Sequence, residues 1–133
     1  MWAPTASYGM KASGFANSTK YVTESWLISP DIDLSSKTAA TLTFQHAGKF
    51  FGTMSAEASL WISENYISGL PSTGTWTQLT IPTYMTGLDW AFVSSGNIDL
   101  ANYVGKSNVR IAFKYISTTS AAGTWEVKNV LIQ

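Results

Sequence analysis

Few side chains in this chain can do covalent chemistry. There is one histidine, His46, no cysteine, and eight carboxylates: Glu24, Asp31, Asp33, Glu57, Glu64, Asp89, Asp99 and Glu126. A nucleophile-and-base pair needs an imidazole held beside a hydroxyl or thiol. His46 ends the alternating run Thr41-Leu-Thr-Phe-Gln-His46, on the same face as Leu42 and Phe44, so it reads as a satisfied core histidine rather than a base. Without cysteine there is no thiolate nucleophile, disulfide or zinc–thiolate centre. Glycoside hydrolysis needs two facing carboxylates. Most of the eight fall at strand ends or turns, where capping and solubility account for them. The expectation is a protein that is not an enzyme.

The aromatic residues offer different chemistry. Aromatic rings stack on the apolar faces of pyranoses, and neighbouring amides and acids bond the hydroxyls, so a sugar site is a few rings plus polar groups in a concavity. Trp90 and Tyr84 sit with Asp89 in one turn-rich loop, residues 83–91, and Trp61 lies opposite its strand's apolar residues. Tyr66 and Trp76 flank a loop rich in Pro and Gly. Trp90, Tyr84, Asp89, Trp61 and Tyr66 are therefore the candidate ligand-binding residues. The competing role for such rings is to close the ends of the fold, since Trp and Tyr are usually largely buried. With six tryptophans in 133 residues some must be core, and Trp26 and Trp125 are the ones expected there.

The elements that would position these residues are strands. Glu24-Ser-Trp-Leu-Ile-Ser29 is an apolar strand stopped by Pro30, which lacks an N–H and forces Ser29 into an extended conformation. Asp31 and Asp33 then suit a turn. Period-two alternation marks further strands at about 6–15 (Tyr8, Met10 and Ala12 inward), 22–29, 40–47, 57–64, 76–81, from 92, 107–117 and 124–132. In 124–132, Trp125, Val127 and Leu131 share one face and Glu126, Lys128, Val130 and Ile132 the other. The last two strands are expected to pair as a hairpin. Thr53 to Ala56 reads as loop, Asn17-Ser-Thr as a polar turn, and Asp99 to Gly105 as one helical turn capped by Asp99. No stretch reads as a long amphipathic helix. The fold class is all-β: a jelly-roll β-sandwich of about eight antiparallel strands in two sheets.

Composition narrows the partners. Charged residues are 12% and the formal net charge is zero. Duplex nucleic acid and anionic membrane surfaces reward a basic excess that is missing here. No apolar run approaches the ~18 residues of a membrane span, so no membrane insertion of this domain is expected. Ser and Thr make up roughly a quarter of the chain, a surface suited to neutral, hydroxyl-rich ligands. The whole of 1–133 reads as one domain, cut from a longer surface protein.

Several motifs come in a familiar order: Trp26-Leu-Ile-Ser-Pro-Asp-Ile-Asp-Leu34, Leu42-Thr-Phe44, Trp61-Ile-Ser63, Gly96-Asn-Ile-Asp-Leu100 with Tyr103-Val-Gly-Lys106, Ile111-Ala-Phe-Lys-Tyr115 and Thr124-Trp-Glu-Val-Lys-Asn-Val130. From about Tyr21 to Ile132 the chain resembles the cleaved-adhesin and choice-of-anchor (MAM-like) domains of Bacteroidetes surface proteins. The resemblance implies a non-catalytic, galactose-binding-like jelly-roll module, extracellular or at the cell surface, whose parent is secreted or lipid-anchored. Its partners would be a glycan or cell-surface polymer and neighbouring domains of the parent. Some members carry structural calcium. By that resemblance Glu24 and Glu126 lie on strands that run close together and are the candidate ligands, with Asp31 and Asp33 as the alternative pair. The family's Asp before Asn-Val is Lys128 here, which departs from a calcium-binding pattern.

Overall fold

A computed structural model describes residues 1–133. Twelve strands run β1 (Trp2–Pro4), β2 (Met10–Ser13), β3 (Phe15–Ala16), β4 (Thr19–Lys20), β5 (Thr23–Ile28), β6 (Thr41–Lys49), β7 (Ala58–Ser63), β8 (Thr77–Leu79), β9 (Val93–Ser94), β10 (Ile98–Asp99), β11 (Arg110–Ser117) and β12 (Thr124–Ile132). The only α-helical turn, α1 (Met54–Glu57), replaces the expected loop before β7. Eight of the strands answer to the eight expected ones. The additions are β1, the β3–β4 hairpin and β10, each two or three residues long and too short to show a period.

The strands form two antiparallel sheets and a small hairpin. One sheet has the order β1-β2-β12-β6-β10, with β9 also on the outer edge of β6, and the other β5-β11-β7-β8. They stack as a jelly-roll sandwich. Asn17 and Ser18, both at positive φ (51° and 61°), make the two-residue turn between β3 and β4, the type I′ geometry that Asn tolerates. Asp33 accepts the Ser35 N–H at 2.9 Å, and Asp99 accepts the Ala101 N–H at 2.9 Å ahead of a short 3₁₀ turn.

The core lies between the sheets. Leu42 and Phe44 from β6, Leu60 and Ile62 from β7, and Ile111, Phe113 and Tyr115 from β11 are all essentially buried, as their alternation requires. Trp125 is fully buried and contacts Phe113 across the sandwich at 5.8 Å. Trp2 joins it at 5.5 Å and donates its indole N–H to Ser25 O at 3.1 Å, tying the first strand of one sheet to β5 of the other.

Four expectations are corrected. The last two strands are not a hairpin: β11 pairs β5 and β7, whereas β12 pairs β2 and β6, so Thr118–Gly123 carries the chain from one sheet to the other. Trp26 is not core. Both faces of β5 are apolar, and Leu27 is the residue packed against the core, which turns Trp26 outward. In β12 a bulge between Lys128 and Leu131, with Asn129 at φ 53°, adds a residue and reverses the alternation. Ile132 therefore packs inward and Leu131 is 49% exposed. Tyr8 lies outside β2 and is exposed rather than inward; only Ala12 of that set is buried.

Candidate functional site

The outer face of the four-stranded sheet carries a row of aromatic rings. Successive outward positions place Trp26 on β5, Lys114 and Ala112 on β11, Trp61 on β7 and Gln78 on β8. In the strand register Lys114 lies opposite Trp26, Ala112 opposite Trp61, and Trp61 opposite Gln78. Trp76, just before β8, leans back over the row. Ring centroids are 6.0 Å apart for Trp26–Trp61 and 5.3 Å for Trp26–Trp76, with planes tilted by 45° and 50°.

Two of the three polar edges are tied down. Trp61 donates its N–H to Ser59 Oγ at 2.8 Å and Trp76 donates to Pro71 O at 2.9 Å. What remains for a ligand is ring face and the Trp26 N–H. All three indoles are part-exposed. Lys114 Nζ stands 5.2 Å from the Trp26 ring and 5.4 Å from the Trp61 ring, and forms a 3.1 Å ion pair with Glu24. Rings beside an ammonium, a carboxylate and an exposed amide (Gln78) form the donor-and-acceptor set that stacked, hydroxyl-rich ligands use. A concavity of about 400 Å³ opens between Trp26, Trp76, Glu24 and the Leu70–Ser72 loop.

The structure separates the five expected ligand residues. Trp61 is in this platform. Tyr66 is below it: only 8% exposed, its ring packs on Trp76 at 5.4 Å and its hydroxyl donates to Gly69 O at 2.8 Å. It braces the platform instead of presenting a face. Tyr84 is turned into the sandwich, where its hydroxyl donates to Ala58 O at 2.7 Å and its ring lies 5.7 Å from His46. Burial raises the Tyr84 phenol above its ordinary value, and its hydroxyl is already committed to Ala58 O. Asp89 caps its own loop, accepting the Ala91 N–H at 3.0 Å. Trp90, 45% exposed, stands over the outer face of the other sheet. Periodicity alone could not find Trp26, Lys114 and Gln78 as partners of Trp61, because only the strand order joins them. Trp76 does stand out in the sequence, between Gly74 and β8.

The candidate calcium ligands Glu24 and Glu126 do not meet. They belong to different sheets, and each faces the solvent side of its own. Glu24 is ion-paired to Lys114, and Glu126 has Lys11 and Lys128 as its charged neighbours, which oppose a divalent cation. No three His, Asp or Glu side chains come together in the geometry of a metal site.

His46 is fully buried. Its Nε2 bonds Thr83 O at 2.8 Å, its Nδ1 bonds the Trp125 indole at 3.2 Å, and burial holds its pKa below the usual histidine value. It has no serine or carboxylate partner of the kind a triad requires.

No family model and no curated protein matches the chain. Among solved structures it is similar to "Family 16 Carbohydrate Binding Module-2", with a TM-score of 0.53 and 16% identity over 99% of this chain and 83% of that one. It also aligns with "CBM4 structure and function" at a TM-score of 0.40 and 16% identity, over 98% of this chain and 78% of that one. The first likeness is one of fold, and it agrees with the jelly-roll sandwich described above.

Proposed function

We propose that this chain is a non-catalytic, extracellular carbohydrate-binding module that holds a glycan or cell-surface polymer across Trp26, Trp61 and Trp76. The observation that carries this reading is the platform itself. Three indoles on the solvent side of one sheet have their N–H edges or neighbouring rings fixed from below, and a Lys114–Glu24 pair and Gln78 stand within the same row. Ring faces supply stacking, and the charged and amide groups supply hydroxyl contacts. The fold shared with a structure titled as a carbohydrate-binding module supports the same reading. The buried, doubly bonded His46, with no serine or carboxylate partner, supports a binding role over triad hydrolysis.

Titration of the protein with neutral oligosaccharides, followed by tryptophan fluorescence, tests it. Binding weakens at least about tenfold, 1.4 kcal/mol, in Trp61→Ala and in Trp26→Ala, as for a central ring in any interface. Unchanged affinity in both variants rejects the platform.

A second reading, a structural or protein-interaction domain of a larger protein, is favoured by Ile67 and Leu70. Both are more than 70% exposed on the loop that borders the platform. It predicts that no glycan binds and that an adjoining domain of the parent protein covers that loop.

A further inference from the structure

The six-stranded sheet has an outer concavity of its own, about 660 Å³, walled by Trp90, Tyr8 and Ser7 and floored by Glu126 and Lys11. Its components fit together by register. Glu126 on β12 is directly opposite Lys11 on β2, yet the two form no ion pair; the chain's ion pairs are Lys106–Glu64 and Lys114–Glu24. Glu126 is only 6% exposed as a whole residue, but its carboxylate has no hydrogen-bond partner in the chain and its oxygens are not sealed from solvent: the residue lines the open groove. Burial pushes that carboxyl above its ordinary range, and the Lys11 and Lys128 charges pull it part of the way back. A carboxylate with no partner in the chain keeps its oxygens free for a donor that enters the groove.

The walls are preset for contact. Trp90 is 45% and Tyr8 55% exposed. Trp90 is braced edge-on by Phe50 at 6.1 Å, and Tyr8 is stacked on Phe92 at 6.5 Å with an interplanar angle of 15°. Lys128 Nζ caps the far side of this pair, 4.0 Å from the Phe92 centroid. Rings fixed in this way lose little freedom when something stacks on them. A partnerless carboxylate beneath two open rings, with an ammonium beside it, matches a pyranose: ring faces for C–H surface, two carboxylate oxygens for adjacent hydroxyl donors, an ammonium for a hydroxyl or ring oxygen.

We infer that this groove is a second glycan site, taking one or two units of a neutral sugar, with Trp90 and Tyr8 stacking, Glu126 accepting from vicinal hydroxyls and Lys11 donating. Glu126 and Lys11 cancel in charge, so the floor carries no net charge with which to select an acidic sugar. The inference borrows its ligand class from the carbohydrate reading of the platform but shares no residue with it. The two sites look out from opposite faces of the sandwich, so the module is bivalent and can hold two chains at once.

The test uses the ¹⁵N-labelled protein, in which each of the six indole N–H groups gives its own resonance. The probes are cellohexaose, laminarihexaose, xylohexaose, mannohexaose and an oligogalacturonate. At least one neutral probe is expected to shift the Trp90 signal. That response should weaken at least fivefold in Glu126→Gln and in Lys11→Ala and stay unchanged in Trp61→Ala. The inference is overturned if no neutral probe moves Trp90, if only the oligogalacturonate does, or if Glu126→Gln and Lys11→Ala leave its titration as it was. Movement of Trp26, Trp61 and Trp76 with a still Trp90 keeps the platform and rejects the groove; the converse keeps the groove and rejects the platform. The remaining resonances show that each variant is folded.

Discussion

Trp125 donates its indole N–H to His46 Nδ1 across 3.2 Å inside the sandwich. That bond fixes the imidazole tautomer. Nδ1 is an acceptor, so Nε2 carries the proton and donates it to Thr83 O at 2.8 Å. Both ring nitrogens are satisfied only while the ring is neutral.

The pH dependence of stability follows from this pair. Burial holds the folded-state pKa of His46 below the ordinary 6.5, so in that range the unfolded chain binds the extra proton. The histidine's contribution is intact above about pH 6.5 and is lost as the pH falls below it. Melting temperature should drop between pH 7.5 and pH 5.5 in thermal scans. His46→Gln should be less stable at pH 7.5 and show a flatter profile over the same window.

Tyr115 joins two distant loops through one oxygen. Its hydroxyl donates to Gly123 O at 2.6 Å and accepts the Gly14 N–H at 2.7 Å, in a fully buried position. Tyr115→Phe strands both backbone groups without changing the ring. Each stranded group costs about 1–3 kcal/mol, so urea unfolding should show a loss of about 2–4 kcal/mol.

Ala112 sets the height of the indole platform. It lies directly opposite both Ile28 and Trp61 on the outward face and is fully covered. Ala112→Leu has no room to be accommodated there. It should cost about 1–3 kcal/mol as overpacking and displace Trp61. Oligosaccharide affinity should fall while the circular dichroism of the folded domain is kept.

Glu126 lowers stability at neutral pH. Its folded-state pKa lies above the ordinary 4.5, so its stabilising contribution is full below that value and is lost as the pH rises through the folded pKa. Glu126→Gln should melt higher than the parent protein at pH 7, and the difference should vanish near pH 4. A variant that gains stability while losing the Trp90 response would mark a residue kept for binding.

Much of the fold is legible in residue order. Alternation at Thr41–His46 and Arg110–Tyr115 puts Leu42, Phe44, His46, Ile111, Phe113 and Tyr115 inward, because one wet face and one dry face leave a period of two. That legibility ends where the contrast between the two faces disappears. Trp26, Leu27 and Ile28 are apolar on both faces, so which side turns inward is decided by packing from distant strands. The crossing from β11 to β12 uses a six-residue loop that a hairpin could equally use. Asn129 is the one local signal for the bulge, since Asn is among the few non-glycine residues that tolerate positive φ. The candidate sites were half legible: Trp61 and Trp90 stand out as rings with no place in their local core, but Tyr84 and Tyr66 do so equally. Only the tertiary hydrogen bonds to Ala58 O and Gly69 O remove them. The meeting of Lys11, Tyr8 and Trp90 around Glu126 depends on β2 pairing with β12, which no local pattern encodes.

The last strand sits in the middle of its sheet: β12 lies between β2 and β6 and supplies Trp125 and Val127 to the interior. During synthesis, therefore, β2 has no neighbour on its inner side and β6 lacks its longest partner until Thr124–Ile132 has left the ribosome. Such closure is slow, because the contacts that reward it span most of the chain. The domain must remain open and at risk of misassociation until translation has passed β12, so a stop codon anywhere before β12 takes out the middle of the sheet instead of trimming its edge.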